Sequence, residues 1–79
     1  MQCLICGTEA VDHPTRYDGK EPECPECGRY VISGTLIAIM KNNREALGIE
    51  ETRATLNAMR DREEIPILAT HNVRLHRLS

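Results

Sequence analysis

Residues 24–33 read CPECGRYVIS, and near the start of the chain residues 3–7 read CLICG. These are two CxxCG segments with seventeen residues between Cys6 and Cys24, and the chain has no other cysteine. That spacing belongs to metal-binding cysteine sets rather than disulfide frameworks. A two-residue spacer lets both sulfurs of a pair face one ion. The glycine after each pair, Gly7 and Gly28, can take the left-handed backbone that closes a tight knuckle, whose amides then donate to the thiolates. Zinc takes four thiolates tetrahedrally and keeps no position for substrate or water. Cys3, Cys6, Cys24 and Cys27 are therefore read as ligands of one structural Zn2+.

Other uses of four cysteines fit less well. A disulfide scaffold needs an oxidising compartment, and the N-terminus MQCLICG has neither the basic start nor the apolar run of a signal peptide. A thiol redox motif normally uses one CxxC at a helix N-terminus. Here CPECG leads into RYVIS, where Tyr30 and Ile32 alternate with Arg29, Val31 and Ser33 as in a strand. Iron is the closest rival, because rubredoxin-type sites also use two CxxCG knuckles. The aromatic shell expected around such a site is missing, since the chain has no Trp or Phe and two Tyr.

The pair CLICG and CPECG resembles the zinc-ribbon superfamily over roughly residues 1 to 33. The resemblance implies two ligand pairs on two knuckles at the ends of short strands; a treble-clef finger would instead start a helix at the second pair. CPECGRYVISG also looks like ribbon modules at the front of various bacterial proteins, where helices follow. Fold and metal carry over from that likeness, and activity does not. Between the knuckles Asp18-Gly19 signals a hairpin turn, so residues 8–17 are expected to return through Lys20–Glu23, with Pro14 and Pro22 keeping the hairpin short or irregular.

Beyond Ser33 the pattern turns helical. With Ser33 or Thr35 as cap, Leu36, Ile37, Met40 and, past the polar gap Asn42-Asn43-Arg44, Leu47 mark one apolar face. Gly48 is the expected stop. Glu50 and Glu51 suit the first turn of a second helix running to about Glu64 before Pro66, with Ile49, Thr52, Leu56 and Met59 as its packing stripe. Arg53 and Arg60 fall within about 20° of each other around that helix, a basic edge with Asn57 nearby that Glu50, Glu63 and Glu64 can neutralise. The tail IPILATHNVRLHRLS begins extended. Its end fits a strand through Val73 and Leu75, or a short helix capped by Thr70 and carrying His71, Leu75 and Leu78; the helix is favoured. His71 and His76 would point about 140° apart on it, with no third ligand nearby, and are read as surface or partly packed residues. The expected architecture is α+β: a zinc ribbon of about three short antiparallel strands (1–33), packed with a helical extension (34–79) of two helices and a short C-terminal segment, as one compact domain.

At 79 residues, a core built without Phe or Trp is marginal and needs a fastening, which the cysteines supply. No apolar run approaches the roughly 18 residues that span a bilayer, so the reading is a soluble, cytoplasmic protein. Residues 1–30 hold six acids and three bases, a net of -3, while the last ten residues hold two arginines, two histidines and no acid. The closed metal site is the only strong chemical constellation, and no catalytic or phosphate-binding motif accompanies it; a non-catalytic module without a small-molecule substrate is expected. An acidic ribbon repels phosphate, which leaves nucleic acid only the helical half, through Arg53, Arg60, Arg74 and Arg77. The leading expectation is contact with a protein partner or a second copy. Leu36, Ile37, Ile39 and Met40 offer more apolar surface than one helix face needs, which makes Ile39 the candidate contact residue.

Overall fold

The computed structural model describes residues 1–16, 18–61 and 65–77. The hairpin read from Asp18-Gly19 forms: β1 (Val11–His13) pairs antiparallel with β2 (Gly19–Cys24), Val11 opposite Glu23 and His13 opposite Glu21. On its other edge β2 pairs antiparallel with β3 (Gly28–Arg29) and β4 (Val31–Ser33). The two pieces are separated only by Tyr30, whose amide donates to the Pro22 carbonyl at 3.1 Å. Gly19 permits this close approach: a Cβ there would lie 2.0 Å from the Ile32 carbonyl oxygen, and its φ is 136°. β6 (Ile67–Leu68) adds parallel to β4, giving the order β1-β2-β4-β6.

α1 (Gly34–Asn43) starts at Ser33, whose Oγ accepts from the Leu36 amide at 3.1 Å. Leu36 is fully buried, and Ile37 and Met40 pack partly against the same core. The helix does not carry on to Leu47. Arg44 turns left-handed (φ 52°) and donates its amide to the Met40 carbonyl, after two asparagines of low helix propensity. The next three residues become β5 (Glu45–Leu47), antiparallel to β7 (Leu75–Arg77), with Leu47 opposite Leu75. Leu47 is buried as expected, but from a strand. The same pairing corrects the tail: residues 75–77 take the strand alternative rather than the favoured helix. Each strand supplies the other's backbone partners, a gain that local periodicity in either segment does not reveal.

α2 (Ile49–Arg60) has Gly48 at its N-cap and Glu50 and Glu51 in its first turn, as read from the sequence. Thr52 and Leu56 are buried and Met59 is half-buried, but Ile49 is 43% exposed and leaves the expected stripe. A side chain at the first helical position leans back past the helix end, away from the buried Thr52 and Leu56. The helix ends at Arg60, with Asp61 as its cap; the extension expected as far as Glu64 falls on residues 62–64, which lie outside the described residues.

Tyr30, Ile32, Leu36, Leu56 and Leu68 are all fully buried in one cluster that also contains Cys3, Cys24 and Cys27. Val31 is buried too, on the opposite face of β4, so this strand is covered on both sides and does not alternate inside and out as the sequence implied. Leu56→Ala is expected to destabilise the protein by about 2–5 kcal/mol and Ile49→Ala by less than about 0.5 kcal/mol, read by urea denaturation. Equal losses would return Ile49 to the core.

Candidate metal centre

The first knuckle grows out of a short N-terminal loop. A bridge between Gln2 and Glu9 brings the chain back on itself, the Cys3 amide donates to the Thr8 carbonyl at 2.7 Å, and the Gly7 amide to the Cys3 carbonyl at 3.0 Å. The second knuckle is the tight turn between β2 and β3, with Cys24 paired to Gly28 across it. It leads into strand, not helix, which is the arrangement read from RYVIS and the opposite of a redox CxxC at a helix start. Gly7 and Gly28 take matching backbone angles, φ 80° and 85°, as the knuckle geometry requires of them.

The four sulfurs converge as the spacing implied. All lie within 4.8 Å of one another, and Cys6 Sγ stands 3.6 Å from both Cys24 Sγ and Cys27 Sγ. A tetrahedron with Zn–S bonds of ~2.3 Å has sulfur–sulfur edges of about 3.8 Å. The donor set therefore fits one tetrahedral ion with little adjustment, and 3.6 Å is far outside the ~2.05 Å of a disulfide. Each knuckle also supplies the anticipated amide: Ile5 N to Cys3 Sγ and Glu26 N to Cys24 Sγ, both 3.4 Å.

Around the sulfurs lie contacts that the motif alone does not reveal. The Tyr30 hydroxyl is 3.2 Å from Cys3 Sγ and accepts from the Leu4 amide at 3.1 Å, which leaves its proton for the sulfur. The Thr8 hydroxyl lies 3.3 Å from Cys6 Sγ. Arg53 donates its Nε–H to Cys27 Sγ at 3.4 Å. Arg60 reaches the carbonyls of Cys27 at 2.5 Å and Arg29 at 3.3 Å. Hydrogen bonds from Thr8 bring the Cys6 thiol down to about 6, whereas burial raises Cys24 and pushes Cys27 up to about 12. Before a metal enters, the Cys24 and Cys27 thiols hold their protons, and a divalent ion must displace them.

The remaining sequence candidates disperse. Arg53 and Arg60 turn toward the second knuckle. Arg74 is exposed beside Glu51, Thr55 and His71, and Arg77 is exposed beside Asn42, Arg44 and Glu45. The four arginines thus occupy three settings rather than one cationic surface. His13 pairs with Glu23 at 2.7 Å and His76 with Glu51 at 3.0 Å; among the described residues the cysteines are the one cluster that could hold a metal. The acids of the N-terminal third are largely engaged at home: Glu9 with the N-terminal amine, Asp12 with Lys20, and Glu21 with Arg29, which holds the buried Glu21 carboxyl below its ordinary range. Ile39 is half-buried, and Leu4, Ile37 and Met40 line a separate shallow apolar cleft with the stems of Lys41 and Glu45.

The sequence already showed Arg53, Asn57 and Arg60 as one helix edge, but not what that edge faces. Tyr30 was legible as a strand residue alternating with Arg29 and Val31; its bond to Cys3 depends on where the first knuckle lands.

The structure is that of a small α+β protein built around a four-cysteine metal-binding site. Comparison with protein-family models, curated proteins and solved structures finds no match for this chain. No helix among the described residues is long and apolar enough to cross a membrane.

Tyr30→Phe leaves the Leu4 amide unpaired and takes a donor from Cys3. The expected cost is about 1–3 kcal/mol of folding free energy for the metal-loaded protein, measured by denaturant titration; no loss would show that the hydroxyl is not bonded as described.

Proposed function

We propose that the chain is a non-catalytic zinc module in which one Zn2+, held by Cys3, Cys6, Cys24 and Cys27, fixes a zinc-ribbon-like N-terminal unit for contact with a protein partner. The observation that carries the metal reading is the convergence of four sulfurs from one chain within 4.8 Å. Four protein ligands complete a tetrahedral ion, so substrate and water have no place on it. Zinc is preferred to iron because the described site has a single aromatic neighbour, Tyr30, whose contact with Cys3 is a polar one made through its hydroxyl. A cytoplasmic setting, which keeps thiols reduced, suits the four free cysteines.

Contact with protein rather than nucleic acid is supported by the surface. Phosphate binding needs several cations on one face, and the four candidate arginines do not assemble one. Apolar groups are more available: Val11, Ile49, Ile65 and Ile67 are between 38% and 59% exposed, and the Leu4–Ile37–Met40 cleft lies open. Ile39 remains the contact candidate on α1.

Native mass spectrometry on protein purified from cells tests all parts together. The expected species carries one zinc per chain and a second polypeptide, either another copy or a different protein. Iron in place of zinc, a metal-free folded chain, or a nuclease-sensitive nucleic-acid adduct would overturn the corresponding part.

A further inference from the structure

We propose that Arg53 and Arg60 belong to the metal centre, forming a cationic latch by which α2 closes over the second knuckle and offsets the charge of the bound thiolates. The proposal rests on the zinc reading above. Four thiolates around one divalent ion leave a net charge of -2, placed inside an apolar cluster where uncompensated charge is costly. Two guanidinium groups are brought to that place by one helix edge. Arg53 addresses the Cys27 sulfur itself, and Arg60 addresses the Cys27 carbonyl and, two residues on, that of Arg29. Asn57, between them on the helix, accepts from Arg60 Nη1 at 3.5 Å.

Two further observations bear on this arrangement. Arg60 lies directly over Gly28, where a Cβ would come within 2.5 Å of Nη2 and 2.8 Å of Cζ, so the guanidinium is seated against the knuckle itself. Among the described residues no carboxylate bridges Arg53 or Arg60, and the nearby Glu51 pairs with His76 instead. Both cations of this edge contact the cysteine knuckle; Glu63 and Glu64, offered by the sequence as neutralising partners, lie outside the described residues. Burial of Thr52 and Leu56 and the two arginine contacts then act together, so metal loading and docking of α2 are coupled.

The test compares zinc affinity, by competition with a chromogenic chelator, and the thiolate-to-cobalt charge-transfer spectrum of the Co2+-substituted protein. Arg53→Gln is expected to weaken zinc binding about 10–100-fold, the range for loss of a group that supports a metal ligand, and to shift the charge-transfer band. Arg53→Lys should restore most of both. Arg74→Gln makes the same charge change at an exposed, screened position and should alter affinity by less than about twofold. The latch is overturned if Arg53→Gln matches the wild type, or if Arg74→Gln weakens binding equally, which would make the effect one of net charge. Should Arg53→Gln fail to fold, Arg60→Gln leaves the sulfur contact intact and must still weaken zinc; unchanged affinity there also overturns the latch. A wild-type chain that takes up no zinc would defeat the zinc reading itself, whereas variants that load zinc as well as the wild type defeat only the latch.

Discussion

Four sulfurs meeting inside the apolar cluster set the conditions for everything else in this protein. Cys3, Cys24 and Cys27 are buried among Tyr30, Ile32, Leu36, Leu56 and Leu68, so the metal site and the core are one region. Without Phe or Trp the chain has little apolar area to bury. A structural zinc ion contributes roughly 10–16 kcal/mol in small zinc-binding peptides, as much as the whole net stability of about 5–15 kcal/mol of an ordinary domain. An ion held by these four sulfurs would tie the N-terminal loop to the β2–β3 hairpin through one set of bonds, in the same cluster that buries Leu36, Leu56 and Leu68.

That placement also brings polar chemistry into the core, and the structure answers it locally. The buried sulfurs receive hydrogen bonds from knuckle amides, from Tyr30 and from Arg53. The buried Glu21 is held by Arg29, and no buried side-chain nitrogen or oxygen among the described residues lacks a partner. Arg53 and Arg60, which read as a cationic edge on a bare helix, face inward. Arg74 and Arg77 stay exposed and line different clefts, Arg77 beside Arg44.

What was legible in the sequence follows from the range of each interaction. Each cysteine pair, the knuckle glycines, the Asp18-Gly19 turn, the Ser33 cap and the start of α2 depend on residues within a few positions of one another, and all can be read from spacing. The end of α1 could not be. Leu47 continues the apolar period of Leu36, Ile37 and Met40, and only the pairing of β5 with β7, some thirty residues further along, makes a strand of it. The tail was ambiguous for the same reason, since its partner is not local. Ile49 matched the stripe of α2 in angle, but angle does not report that the stripe's first position overhangs the helix end. The role of Tyr30 and of the α2 arginines at the sulfurs required the docking of three elements, information that no single segment contains.

X-ray absorption at the zinc edge on protein loaded with one equivalent of Zn2+ tests the central claim most directly. A closed structural site gives four sulfur neighbours at about 2.3 Å and no nitrogen or oxygen in the first coordination sphere. Three sulfurs with one light-atom neighbour would contradict it, because the ion would then keep a position open to water and the chain could no longer be read as a purely structural module.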